Sequence, residues 1–275
     1  MRFHFTIAIL LMAAGTAPAA DPRPTEEEAE RLLEQVRETA LNYSKSLPDF
    51  ICTQVVKRYI DSNGRDRWVP TDTLTIKLSY FGQKEDYKLL LIDNKPTNLD
   101  YMKAGGASSK GEFGTMLRLI FDPASATEFH WKSWTTIRKR RAAVYSYHVE
   151  RPHSTYVVSV QMQGDNVLEA LVGFHGDVVV DRDTDMVLHM TTAAELPLSF
   201  PMKESLTSLD YNFTEVGGRE YLLPLSAVVE MRSPRLHTRN SVAFHSYQKF
   251  HSDATISFDT VADKPADKPA DKPKD

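Results

Sequence analysis

The chain has one cysteine, Cys52, in 275 residues. A single thiol cannot build an intramolecular disulfide framework, so stability must come from a hydrophobic core. Cys52 sits between Ile51 and Thr53 in a strand-like run and reads as a small buried hydrophobe, with no activating neighbour in sequence. Strong positive charge is missing too. The formal net charge is −4, which argues against general nucleic-acid binding. Long apolar runs are lacking: Ile7–Ala14 falls far short of the roughly 20 residues a bilayer span needs. The usual catalytic spacings are absent as well. Nine histidines include no His-Glu-x-x-His, and the nearest pairs, His148 with His153 and His245 with His251, lack a zinc-type spacing. Gly-x-Ser-x-Gly is absent, and Ala107–Lys110 is not a Ser-x-x-Lys site at the start of a helix. A triad assembled without a motif stays open, so a periplasmic hydrolase is the third of three functional readings.

What is present is ordinary globular material, 41% hydrophobic and 25% charged, enough for a sizeable core. Arg2, the apolar run and Ala17-Pro18-Ala19 form a cleavable export signal over residues 1–19. The expected product is a soluble periplasmic or secreted protein with no transmembrane segment after cleavage. Residues 20–260 read as one domain. Residues 261–275 repeat Ala-Asp-Lys-Pro and read as a disordered, extended tail.

Thr25–Tyr43 organises the domain. Ala29, Leu32, Leu33, Val36, Ala40 and Tyr43 recur at the spacing of one helical face, and Thr25 with Glu28 makes a capping box. Such a helix spans about 28 Å. Nearly everything after it alternates with period two. Phe50–Ile60 and Leu74–Tyr80 flank Asn63-Gly64, the signal of a two-residue type I′ turn. Further strands follow at Asp86–Asp93, Thr127–Ile137, Ala143–Val149, Tyr156–Met162, Val167–Phe174, Asp177–Asp181, Met186–Thr192, Leu209–Phe213, Tyr221–Met231, Thr238–Phe250 and Thr255–Phe258. About a dozen antiparallel strands in a meander must curl. The predicted fold is therefore α+β: a strongly curved, unclosed half-barrel sheet around the N-terminal helix, with a second short helix at its mouth.

That second helix covers Phe113–Phe121, after a Gly-rich loop at Asn94–Gly111 and a Ser109/Glu112 capping box. Phe113, Met116, Leu117 and Ile120 form its apolar stripe. They read either as a lid over an apolar groove, where Met adapts to varied ligands, or as a permanent plug in the core. Arg138, Arg140 and Arg141, with Lys139, form a basic turn that could hold an anionic headgroup or simply face solvent. Asp181, Asp183 and Asp185 have the spacing of calcium ligands, but Met186 and Thr192 stand where Gly and Glu are required, so a polar turn is the simpler reading. Trp131 and Trp134 lie three apart, which in a regular strand points them to opposite faces.

The order of these parts, with Leu47–Val56 entering the sheet and the strand-turn-strand of Gly176–His189, resembles the periplasmic lipoprotein-localisation factors LolA and LolB and the envelope-stress regulator RseB. The resemblance implies a half-barrel whose concave face is covered by helices and takes up acyl chains or lipid-like ligands without catalysis. It carries over no individual site residue. The leading reading is an exported, non-enzymatic binder of an apolar, lipid-like or lipoprotein ligand. The alternative is an envelope protein–protein interaction module. Neither calls for a cofactor, a metal or a nucleic acid.

Overall fold

The computed structural model describes residues 22–104, 113–161, 167–234 and 236–250. The expected leader, the tail, the Ser109/Glu112 cap, the turn at residues 164–166 and the strand at Thr255–Phe258 lie outside them.

Helix α1 runs Glu26–Ser46. The Thr25 hydroxyl accepts the Glu28 N–H at 3.2 Å, and the Glu28 carboxylate accepts the Thr25 N–H at 2.9 Å, which closes the anticipated capping box. Val36, Ala40 and Tyr43 are buried, so the apolar stripe faces inward.

The strands are β1 (Phe50–Asp61), β2 (Val69–Phe81), β3 (Lys84–Ile92), β4 (Lys95–Pro96), β5 (Glu128–Ile137), β6 (Arg140–Val149), β7 (Val157–Gln161), β8 (Val167–Leu171), β9 (Gly173–Asp181), β10 (Val187–Glu195), β11 (Glu204–Val216), β12 (Arg219–Arg232) and β13 (His237–Lys249). Eleven of them form one unclosed antiparallel sheet in the order β4-β3-β2-β1-β13-β12-β11-β10-β9-β6-β5. Two parts of this topology differ from an uninterrupted meander. β13 returns to pair with β1, joining the two halves of the chain at the centre of the sheet. The β7–β8 hairpin leaves the sheet, and β6 pairs directly with β9. Phe174 accordingly belongs to β9, not to the strand before it; the break falls at buried Val172, which packs with Val158, Phe200 and Met202 in a small second core.

Three tyrosines tie α1 to the sheet. The Tyr43 hydroxyl donates to the Leu222 carbonyl on β12 at 2.9 Å. Tyr80 on β2 donates to the Ser44 carbonyl at 2.9 Å, and Tyr145 on β6 to the Ala29 carbonyl at 3.2 Å. β2 and β6 stand seven strand spacings apart in the sheet, about 34 Å. The rise from Ala29 to Ser44 is about 22 Å. The sheet curls to bring both strands under one helix. Leu74, Ile76, Leu78 and Tyr80, at 2% exposure or less, line the concave side as their alternation requires.

Local turn chemistry differs from the sequence reading at β1–β2. Residues 62–68 form a wide loop in place of a two-residue turn: Gly64 and Asp66 have positive φ, but Asn63 does not. Buried Asp61 organises it by accepting the N–H groups of Asn63 at 3.0 Å and Asp66 at 2.8 Å. Tight turns with two successive left-handed residues occur instead at Gly82-Gln83, Asp93-Asn94, Arg138-Lys139 and Gly217-Gly218.

Candidate functional site

Helix α2 runs Thr115–Phe121, starting two residues later than the sequence suggests. Its N-cap is Gly114 at φ 121°, with no side-chain cap. A Cβ on Gly114 would lie 3.0 Å from Ser44 Cβ, which explains why glycine lets the two helices meet. Phe113, Leu117 and Ile120 are 2%, 2% and 0% exposed, and Met116 is half-buried. The Phe113 ring packs against Phe50 at 5.2 Å, Phe244 at 5.7 Å and Tyr80 at 6.0 Å. α2 packs as part of the main core.

The basic turn is occupied within the fold. Arg138 donates to Asp210 at 3.2 Å, to the Leu188 carbonyl at 3.0 Å and to the Tyr211 carbonyl. His189 shares the same Asp210 oxygen at 3.1 Å, and these contacts hold the Asp210 carboxyl below its usual range. Arg140 pairs with fully buried Asp181 and lies 4.8 Å from the Phe213 ring centroid. Asp181 also accepts from the Asp183 N–H and the Thr184 hydroxyl, each at 3.1 Å, so this acidic triplet is a turn built on one carboxylate. Arg141 is exposed, and its carbonyl accepts the Arg182 N–H at 3.0 Å.

That last bond joins two turns beside a cleft of about 390 Å³ between the N-terminal half of α1 and β5. Glu28, Arg31, Leu32 and Gln35 line it from α1; their spacing puts them on one helical face. Trp134 lines it from β5, Arg182 and Asp185 from the β9–β10 turn, and Pro22–Pro24 from the segment leading into α1. A register shift between Trp131 and Ser133 makes the tryptophans neighbours. Trp131 pairs with Tyr145 and Trp134 with Ala143, both on the core face. The expectation that they face opposite ways fails because the bulge adds a residue between them. Their rings meet edge-on at 6.2 Å. Arg23 lies 5.4 Å from the Trp131 ring centroid and Arg182 lies 5.2 Å from that of Trp134. The Trp134 indole donates to the Pro22 carbonyl at 2.9 Å, while the buried indole N–H of Trp131 has no acceptor among the described residues.

The outer face of the sheet carries a larger open groove, about 730 Å³. Short side chains on adjacent strands, Ser146, Thr191, Ala193 and Ser208, line it together with Gly176, Leu206 and Val228. At one side His148 and His175, cross-strand partners, both contact Glu195 Oε1, at 3.0 and 3.2 Å. Sequence spacing could not reveal this pair, because it is made across the ladder. The two rings converge on one carboxylate oxygen in an ion-pair geometry, and no group of three His, Cys, Asp or Glu is placed to hold a metal among the described residues. Nor is any helix there long and apolar enough to cross a membrane.

No protein-family model matches the chain, and no curated protein matches it in sequence. Its fold is distantly similar to two solved structures. One is a LolA superfamily protein from Nitrosomonas europaea, at TM-score 0.38 and 8% identity over 81% of this chain and 94% of that one. The other is a DUF1329 family protein from Desulfovibrio piger, at TM-score 0.40 and 9% identity over 83% and 94% of the two chains. These likenesses do not define a family for the chain.

Proposed function

We propose that this protein is an exported, non-catalytic binder of an apolar, lipid-like ligand, and that the ligand enters at the α1–β5 cleft. The observation that carries the reading is the pair Trp131–Trp134, brought onto one face by a bulge and standing beside a preformed cavity at the sheet edge. Trp134, Leu32 and the two prolines give the cleft an apolar wall, the surface that a lipid-like body needs, with charged and polar side chains around it. Burial of about 200 Å² of acyl chain would contribute about 5 kcal/mol at about 25 cal/mol per Å². A longer chain needs more room than the cleft holds, and movement of α2 away from Phe50, Tyr80 and Phe244 would supply it. In that case Phe113, Met116, Leu117 and Ile120 would act as a lid.

Dibromostearate tests the reading, because bromine quenches tryptophan emission on contact. Trp68 lies apart from the cleft, beside Arg239 at 4.6 Å, so a Trp68→Phe chain reports only Trp131 and Trp134. Saturable quenching in that chain is expected. Its absence at any concentration below micelle formation would sink the proposal.

A second reading, the interaction module, is favoured by the outer groove and by β5, which ends the sheet with one backbone edge unmatched by any strand among the described residues. It predicts no quenching, together with photo-crosslinks to an envelope protein from a probe at Ala193 or Leu206.

A further inference from the structure

We infer that Gln54 is the polar anchor for a ligand held in the concave face, and that the group it binds is an uncharged amide on an apolar chain. The inference rests on the reading just given, entry at the cleft with outward movement of α2, and adds the chemistry of the ligand's polar group. Gln54 stands on β1, between β2 and β13 in the sheet. Its cross-strand partners are Ile76 and Phe244, and its same-face neighbours along β1 are Cys52 and Val56. Leu78, Ile76 and Leu74 on the concave side of β2 stand opposite Cys52, Gln54 and Val56, so that row faces the concave side too. All four neighbours belong to the main hydrophobic core, and none is more than 3% exposed. Gln54 itself is 0% exposed, and neither its Oε1 nor its Nε2 has a hydrogen-bond partner among the described residues.

Buried polar side chains are almost always paired, because a lone amide in an apolar interior has lost its water without replacement. Gln54 bears that cost at both ends of its amide, and an apolar side chain of like volume would fill the place without it. A ligand group that both donates and accepts satisfies both ends. The position also connects with the proposed entry. Phe244, opposite Gln54, packs edge-on against the Phe113 ring at 5.7 Å, and Phe121 at the far end of α2 stacks on Phe129 of β5 at 5.2 Å. Phe113 and α2 thus run from the neighbour of Gln54 to the strand that holds Trp131 and Trp134. Outward movement of this segment would open one path from the cleft to the amide. An ionised head among these neighbours would lose its hydration with no counter-charge from them, whereas an amide pairs with Gln54 as donor and acceptor at once.

Isothermal titration calorimetry on the full chain tests this with three probes of one chain length, dodecanamide, methyl dodecanoate and dodecanoate, each below micelle formation. The amide should bind about tenfold more tightly than the ester, which accepts but cannot donate, and the carboxylate no more tightly than the ester. Gln54→Met should bring the amide to the level of the ester and leave the ester little changed. Without ligand, the same variant should show an unchanged or higher urea midpoint, since an unpaired amide has been removed. A parent chain that binds amide and ester alike, or the carboxylate more tightly than the amide, would overturn the inference and leave the apolar reading intact. So would a Gln54→Met chain that keeps its preference for the amide, or one whose midpoint falls clearly, because Gln54 would then be paired within the fold. If none of the three probes binds, the underlying reading fails first and the inference falls with it.

Discussion

Replacing Gly176 with alanine should be among the most damaging single-atom-scale changes in the sheet. An added Cβ would stand 1.9 Å from the Thr191 carbonyl oxygen and 2.7 Å from its carbon. An ordinary carbon–oxygen contact is about 3.3 Å, so the β10 backbone would have to retreat by about 1.4 Å. That carbonyl is not free to move. It accepts the Tyr147 hydroxyl at 2.9 Å, and the same hydroxyl lies 2.8 Å from Thr192 Oγ1. Tyr147 is only 2% exposed, so water cannot replace the lost partners. Two hydrogen bonds at about 1 kcal/mol each, with overpacking strain of about 1–3 kcal/mol, give a destabilisation of roughly 3–5 kcal/mol. Urea unfolding should show the midpoint falling by more than about 1 M at an m-value near 3 kcal/mol per M. Gly82→Ala is the control. Nothing lies within 4 Å of its added Cβ, and only its φ of +55° is penalised, at about 1–2 kcal/mol. A Gly176→Ala protein as stable as the parent, or more stable than Gly82→Ala, would refute the reasoning.

Three further outcomes are expected. Tyr43→Phe leaves the Leu222 carbonyl without its donor in the core and should cost about 1–3 kcal/mol by urea denaturation; an unchanged midpoint would mean that α1 is not tied to β12 in this way. Burial pushes the Tyr80 and Tyr145 hydroxyls up to about 12 and also holds that of Tyr43 well above its ordinary value. A raised folded-state pKa means that the folded chain keeps protons the unfolded chain releases. Stability should therefore hold below about pH 10 and fall as pH rises from there towards 12, followed by phenolate absorbance and thermal melts. Phenolate absorbance rising near pH 10 with no loss of stability would contradict this. Arg138→Gln should lower stability by about 1–3 kcal/mol through Asp210 and two carbonyls, read by urea denaturation; an unchanged midpoint would mean that these contacts do not hold the turn.

Periodicity made the frame of this protein legible. The α1 stripe, its capping box and the alternation of Leu74, Ile76, Leu78 and Tyr80 each state one local rule, and the structure obeys it. The misread features are those that local rules do not encode. The bulge that joins Trp131 to Trp134 is a property of the β5–β6 pairing, not of β5 alone. Asn63-Gly64 has the composition of a tight turn, but the Asp61 carboxylate stabilises a wider loop. Arg138–Arg141 looks like a free cationic patch until the strands place Asp181 and Asp210 beside it. The contact of Arg182 with Trp134 joins a turn to a strand far away in sequence. The second helix was legible as an apolar stripe, but whether such a stripe opens or stays packed is a question of energetics that spacing does not answer.

The most direct test of the account is native mass spectrometry of the full chain produced in an exporting bacterial host, followed by solvent extraction. The account predicts a bound lipid-like molecule that is lost from a Trp134→Asp chain. A bare protein mass, unchanged after incubation with oleate or phospholipid, would contradict it.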